Sequence, residues 1–350
     1  VAEGWSGRVL ALQANFCLVG LDAEGPQGTR SLLCTRRTRL GKSGQQVCVG
    51  DRVRVEGIDW PAGRGAVTAV EPRTNLLPRP AVANVSRVLV VVSVRQPALD
   101  PLQLTRFLLT AEATGQAVEL VLGKTDLAPA QEVEEWCARL RGWGYPVHPV
   151  SLHRGDGLEA LRAVLASPGL VVLSGPSGVG KSSLLNALRP ELTLRTGAVS
   201  GRLQRGRHTT RHVELFRLGA ALVADSPGFN RPELPQDPAA LAGLFPELRH
   251  RLAQEACQFR NCRHQGDPGC AMAAGWDRQE IYAQCLAELE ARTPERGVAA
   301  AATAAAGVRQ RGGRLEPRLD PQLRRGSRRT DRQRLAEEAQ GDLSPPSPAG

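Results

Sequence analysis

The sequence predicts an α/β protein: a mostly parallel sheet at the centre, a small β-barrel before it and a short helical, Cys/His-rich segment after it. Three observations predict this. Residues 1–72 break into short apolar runs separated by Gly, Asp and Pro, with no long helical periodicity. From Arg87 to Leu188, strand-length apolar runs alternate with helix-length stretches, the pattern of βαβ units. Cys257, Cys262, His264 and Cys270 then crowd into one short segment.

In the first region the runs are Gly7–Leu12, Phe16–Leu21, Ser31–Thr35, Val47–Val49, Arg52–Ile58 and Ala66–Val70. Gly50-Asp51 before Arg52–Val55 reads as a turn into an alternating strand. Short strands with such turns predict a five-stranded OB-type barrel, and the basic loop Arg36–Lys42 suits it to RNA. The central region reads as strand Val88–Val94, helix Leu99–Thr114, strand Val118–Leu122, helix Pro129–Arg141, strand Val147–Ser151 and helix Gly157–Leu165. Strand Leu170–Leu173 and helix Lys181–Leu188 follow, then a hairpin of Val213–Leu218 with Ala221–Ala224. The expected domains are 1–72 (barrel, RNA-binding), 73–230 (nucleotide-binding core) and 231–291 (zinc-binding). An Ala-run and an Arg-, Gly- and Pro-containing tail at 292–350 is expected to be disordered.

Apolar residues are 41% of the 350 and charged residues 23%, ordinary for a soluble globular protein. No run of 18 apolar residues occurs, so no membrane association is expected. Val1–Leu10 shows no basic-then-apolar leader pattern, so secretion is not expected and a cytoplasmic location is; a monomeric chain is also expected. The net charge of +10 favours a polyanionic partner such as nucleic acid. Positive charge is almost all arginine: the lysines are Lys42, Lys124 and Lys181. Two of these three fall in the motifs below, where a compact ammonium differs from a planar guanidinium.

The run Val171–Ser174 leads into Gly175-Pro176-Ser177-Gly178-Val179-Gly180-Lys181-Ser182-Ser183, a GxxxxGKS loop between a strand and a helix. Glycines let backbone N–H groups converge on phosphate oxygens, and the helix N-terminus adds its dipole. Lys181 is expected at the β- and γ-phosphates and the Ser182 hydroxyl on Mg²⁺. Further on, Leu222–Ala224 ends in Asp225-Ser226-Pro227-Gly228. Asp225 would hold Mg²⁺ through water and the Gly228 N–H would meet the γ-phosphate. Arg205–Arg211 lies between, and Thr209 there would complete the metal shell as a mobile switch does.

Gly123-Lys124-Thr125-Asp126 at a strand end is similar to the NKxD signature that selects guanine, with Gly123 where Asn is usual. Asp126 would accept from guanine N1–H and the exocyclic amine, groups adenine does not offer. The Lys124 stem would lie along the base, and the loop at Ser151 would contribute mainly backbone. GTP is therefore the expected ligand, with an adenine-nucleotide ATPase or kinase as the alternative. Both base-reading motifs precede the phosphate loop, whereas a Ras-like order places them after it. The core is therefore expected to be a circularly permuted Ras-like GTPase domain. The permutation leads the phosphate sensor Gly228-Phe229 straight into the C-terminal segment. Phe229 cannot orient water, so His208, or a group from a partner, is the expected water-orienting residue. The spacing Cys257-x4-Cys262-x-His264-x5-Cys270 offers three thiolates and one imidazole, suited to one closed, structural Zn²⁺.

Taken in order, the motifs resemble the ribosome small subunit-dependent GTPase A (RsgA/YjeQ) family. The resemblance covers residues from about 5 to 290 and rests on these stretches and the Cys₃His spacing: Val49-Gly50-Asp51-Arg52-Val53; Glu71-Pro72-Arg73-Thr74-Asn75 with Arg79-Pro80; Gly123–Asp126; Gly175–Ser183; Arg205–Arg211; and Asp225–Phe229. Departures are Gly123, Ser86 (where Asp is usual), and the long basic tail after 291. The resemblance implies an OB-fold, a permuted GTPase and a zinc domain. It also implies binding to the small (30S) ribosomal subunit and its rRNA late in assembly, with GTP hydrolysis stimulated by that subunit. A GTP-controlled RNA-binding module with incidental turnover is the reading from another class.

Overall fold

The computed structural model describes residues 4–13, 15–36, 46–78, 81–189, 213–225, 232, 234–235, 237–305, 308–311 and 314–317. It divides into two compact units, Val1–Leu289 and Glu290–Gly350.

The first five strands are β1 (Trp5–Gln13), β2 (Phe16–Leu21), β3 (Ser31–Arg36), β4 (Arg52–Asp59) and β5 (Arg64–Val70). They pair in the order β1-β2-β3-β5-β4, and β1 pairs again with β4, so the ladder closes into a barrel with no free edge. Period-two alternation sends Val9, Val19, Leu32, Val53, Val55 and Val67 inward, all fully buried. The run Val47–Val49 is not a strand of this barrel. Val49 forms a single bridge to Val82 in a short hairpin, β6 (Leu76–Pro78) with β7 (Ala81–Ala83), that sequence periodicity missed because each arm has three residues.

That hairpin fastens the barrel to the core. Gly50 has φ +88°, and a Cβ there would sit 2.2 Å from the Ala83 carbonyl oxygen, so the turn needs glycine. The fully buried Asp51 accepts from the Cys48 N–H (2.7 Å) and from Arg73 Nε (2.7 Å) and Nη2 (2.9 Å). Asn84 donates to the Gly50 carbonyl at 3.1 Å, and Asn75 exchanges two hydrogen bonds with the Val85 backbone. These motifs are a structural seam: among the described residues, no buried side-chain polar atom of the junction lacks a hydrogen-bond partner.

The core sheet adds β8 (Arg87–Ser93), β9 (Ala117–Gly123), β10 (Val147–Pro149), β11 (Gly169–Ser174), β12 (Glu214–Leu218) and β13 (Ala221–Asp225). Its order is β10-β9-β8-β11-β13-β12, parallel except for β12. Counted from β11, the order across the sheet becomes 6-5-4-1-3-2, and chain direction reverses its march between β11 and β8. Helices α1 (Pro101–Glu112) and α2 (Ala130–Gly142) cover one face, over Val88, Val90 and Val92. Helices α3 (Leu158–Leu165) and α4 (Lys181–Leu188) cover the other, over Leu89 and Val91. The near-continuous apolar runs of these strands follow from burial on both faces.

The third segment packs α5 (Pro246–Gln254) and the start of α6 (Gln279–Ala305) around Phe245, Leu248, Tyr282 and Leu286, with Leu109 of α1 in the same cluster. Arg278 is fully buried, paired with Glu247 through Nε (2.6 Å) and Nη2, and lies over the rings of Trp143 (4.5 Å) and Phe245 (4.6 Å). Asp277 takes a bidentate contact from Arg139 (2.7 Å each) and the Trp143 indole N–H (2.6 Å). Regular structure continues past Arg292, contrary to the expected loss of it there: α6 runs through the Ala-rich stretch, which has high helix propensity. In the second unit β14 (Val308–Arg311) pairs with β15 (Arg314–Pro317).

Candidate nucleotide and metal sites

The phosphate loop leaves β11 at Ser174 and enters α4 at Lys181, at the crevice where the strand order reverses. Gly175 has φ +133°, and a Cβ there would lie 2.0 Å from the Val91 carbonyl oxygen, so only glycine lets the loop pass β8 this closely. Gly180 takes a left-handed conformation just before α4. Pro176, Ser177 and Gly178 form the outer part of the loop, while Val179 turns inward to the core. The Lys181 ammonium donates to the carbonyls of Gly175 (2.7 Å) and Pro176 (2.6 Å), folded over the loop it serves. Ser182 and Ser183 occupy the first turn of α4, half-buried. Asp225 ends β13 in register with Leu173, which places its backbone at the same sheet edge.

The base-reading loop follows β9. Asp126 Oδ1 accepts from the Ser151 hydroxyl at 2.7 Å, and Ser151 Oγ in turn accepts from the Arg154 N–H at 3.0 Å. Ser151 is fully buried, so its single proton is committed to the carboxylate. That hydrogen bond holds the Asp126 carboxyl below its usual range, an ionised acceptor at neutral pH. The loop after β10 thus contributes a side chain where mainly backbone was expected. Thr125 is buried, and its N–H reaches the Val150 carbonyl at 3.3 Å, which ties the two loops together.

Lys124 has φ +56°, and its ammonium donates to the Gly178 carbonyl at 2.9 Å and to the Gln96 carbonyl. Gly123 removes an amide that would link the base loop to the phosphate loop; the lysine head supplies such a link directly. Sequence reasoning did not find Gln96, which carries no motif signal. Gly123, Lys124, Asp126, Leu152, Val179 and Ser183 line a cavity of about 380 Å³ between the two loops, within the range of small-molecule sites. The adjacency of an ionised carboxylate, this cavity and a phosphate loop fits a guanine nucleotide. His208, Thr209 and Gly228 lie outside the described residues.

Cys257, Cys262, His264 and Cys270 bring one donor atom each to a cluster whose members all lie within 4.8 Å of one another. Tetrahedral Zn²⁺ with thiolates at about 2.3 Å needs ligand atoms roughly 3.8 Å apart, so the donor set and its spacing fit that ion. Cys257 Sγ and His264 Nδ1 are 3.4 Å apart. Backbone N–H groups of His264, Ala271 and Met272 point at Sγ of Cys262, Cys257 and Cys270, at 3.3–3.4 Å, and would stabilise thiolates. Burial lowers the His264 pKa, which keeps the imidazole neutral. Cys285 is buried in the α5–α6 core and takes no part.

Comparison with known proteins agrees with this geometry. Residues 70–235 match the family model described as RsgA GTPase. A protein of Synechococcus sp. (strain CC9605) named small ribosomal subunit biogenesis GTPase RsgA is 58% identical over 294 residues, covering 83% of this chain and 97% of that one. One of the same name from Prochlorococcus marinus (strain MIT 9303) is 54% identical, covering 81% and 92%. The crystal structure of YloQ, a circularly permuted GTPase, aligns at TM-score 0.67 and 27% identity over 83% of this chain and 96% of that one. That of YjeQ from Thermotoga maritima aligns at 0.68 and 29%, over 82% and 99%. Fold and site define a circularly permuted P-loop GTPase, a GTP-hydrolysing enzyme with an N-terminal OB-type barrel and a C-terminal Cys₃His module. The chain belongs to the RsgA GTPase family.

Proposed function

We propose that this GTPase binds the small ribosomal subunit through its rRNA, acts late in the maturation of that subunit, and hydrolyses GTP faster when bound to it. The observation that carries the reading is the joined site: the Asp126–Ser151 pair and the Lys181 loop face one cavity, in a chain with basic net charge. Relatives named for small ribosomal subunit biogenesis supply the partner. A monomeric, cytoplasmic protein suits such a partner, and no described helix is long and apolar enough to cross a membrane.

In this reading Asp126 selects guanine by accepting from its N1–H and amine, and Ser151 fixes the carboxylate plane. Lys181 and the backbone of Gly175–Gly180 hold the β- and γ-phosphates. Ser182, Thr209 and Asp225 would hold Mg²⁺, which neutralises charge on the phosphates when bound. The Gly228 N–H reads the γ-phosphate, and His208 orients the attacking water. The four Cys/His ligands would hold one structural Zn²⁺, with no open position for chemistry.

The deciding measurement is the GTPase rate with purified small subunits, large subunits and bulk RNA. Acceleration by small subunits alone is expected, and equal rates in all three mixtures would refute the reading. Loss of that acceleration in His208→Ala is expected, with nucleotide affinity retained. GTP and GDP, but not ATP, should compete for the site.

A further inference from the structure

Two left-handed residues meet beside the cavity between the base-reading and phosphate loops. Gln96 has φ +58° and Lys124 has φ +56°, a region that glycine favours and few side chains tolerate. They are 28 positions apart, and the Lys124 ammonium donates to the Gln96 carbonyl. Its other acceptor is the Gly178 carbonyl in the phosphate loop, at 2.9 Å. One cation is thus shared between the Gln96 loop and the phosphate loop. A rare backbone conformation kept at a ligand cavity points to use by the site.

The loop that carries Gln96 is held from several sides. The Val94 N–H donates to the Gly123 carbonyl at 3.1 Å, and the buried Ser93 hydroxyl donates to the Pro97 carbonyl at 2.8 Å. Arg95 pairs with Glu132 of α2 at 2.5 Å. The Gln96 side chain is exposed; it is the backbone carbonyl that meets Lys124.

Gly123 explains why such an anchor is needed. Its φ lies outside the left-handed region, so the backbone there does not demand glycine. A Cβ at 123 would stand 3.3 Å from the Val92 carbonyl oxygen and 3.7 Å from that of Val179 in the phosphate loop, so a side chain fits with a small shift. An asparagine at 123 would carry its amide straight to the phosphate loop. This chain has no side chain at that place and joins the two loops through the Lys124 ammonium. A lysine stem is long and flexible, and ordering it costs entropy. A second carbonyl acceptor on the ammonium offsets that cost.

We propose that Gln96 is a positioning residue for the guanine nucleotide: its left-handed backbone holds a carbonyl on the Lys124 ammonium and so fixes the lysine stem along the base. Positions 96 and 123 are then two routes to one link between the base loop and the phosphate loop. The proposal rests on guanine reading by this cavity, given above.

The test measures GTP and GDP affinity of the full chain, with Mg²⁺, by calorimetry. Gln96→Val has a β-branched side chain that resists positive φ. It should weaken both nucleotides roughly tenfold through loss of a charge-assisted hydrogen bond. Gln96→Gly and Gln96→Asn tolerate the conformation and should bind within about twofold of the parent. Adding Gly123→Asn should restore most of the affinity lost in Gln96→Val. In a Lys124→Ala background, Gln96→Val should change affinity by less than about twofold, because the residue acts through the lysine. A loop merely misfolded by valine would lose affinity in that background too.

Parental affinity in Gln96→Val would overturn the proposal. So would a comparable loss in Gln96→Gly, which would make the carboxamide the contact, an equal valine effect with and without Lys124, or no rescue by Gly123→Asn. If the unsubstituted chain binds ATP as tightly as GTP, the guanine reading fails and this proposal with it. A chain that prefers GTP but is indifferent to position 96 refutes this proposal alone.

Discussion

The two small modules beside the GTPase core are built on opposite principles. The barrel closes its own hydrogen-bond ladder and buries Val9, Val19, Leu32, Val53, Val55 and Val67 within it. The Cys/His module has one helix of nine residues, the start of a second, and loops; its apolar cluster borrows Leu109 from the core. Their attachments differ accordingly. The barrel is held by a backbone seam around Gly50 and Asn84, with the Asp51–Arg73 pair inside it. The Cys/His module is held by side chains, Arg278 with Glu247 and Arg139 with Asp277, packed on Trp143. A segment too small to bury enough apolar surface by itself gains most from a bound metal, which the barrel, with a closed core of its own, does not require.

The largest expected effect separates the modules outright. Chelation should remove a metal-binding contribution of about 10–16 kcal/mol, and Cys270→Ser a large part of it, and each should unfold the segment around Cys257–Cys270. Limited proteolysis should then cut there while the barrel stays protected; equal protection of both would break the contrast. Arg278→Ala comes next. It leaves the partly buried Glu247 without its partner and opens space between Trp143 and Phe245, a loss of up to about 3–5 kcal/mol in urea denaturation, with zinc content retained in the folded state.

Asp51→Ala should cost less, about 2–3 kcal/mol, because Arg73 keeps partial contact with solvent and the Gln46 carbonyl. Its signature should be greater hydrogen exchange at the barrel–core seam with nucleotide affinity unchanged. The smallest effect is a pH dependence. Arg139, then the Trp143 N–H, hold the Asp277 carboxyl below its usual range. The stability it contributes is therefore complete above about pH 4 and lost as pH falls through the lower folded-state value. Both partners are partly exposed, so the contribution should be no more than about 1 kcal/mol. The stability difference between the parent and Asp277→Asn should be present at pH 7 and shrink below pH 4.

Much of the architecture was legible because its signals are local. The strands β8, β9 and β11 read as apolar runs since both faces are buried, and α4 was placed at Lys181–Leu188 by the glycine-rich loop before it. The Cys257, Cys262, His264 and Cys270 cluster was legible because its donors are soft and closely spaced. The β6–β7 hairpin was not, since three-residue arms carry no periodicity, and helix past Arg292 was masked by a low-complexity composition.

By itself, the sequence specified the chemistry proposed for this protein: a loop suited to phosphate, a carboxylate suited to guanine, four residues suited to zinc, and a base-reading motif placed before the phosphate loop in the chain. Those properties follow from residue type and short spacing, which folding does not alter. The tertiary structure alone decided how distant residues complete one another. Ser151 orients Asp126, Lys124 joins Gly178 across the cavity, Asp51 meets Arg73, and Arg278 meets Glu247. Each is a contact between residues at least 22 positions apart. Such a contact exists only once the sheet order has brought strand ends and helices together, and no local pattern in the chain encodes it.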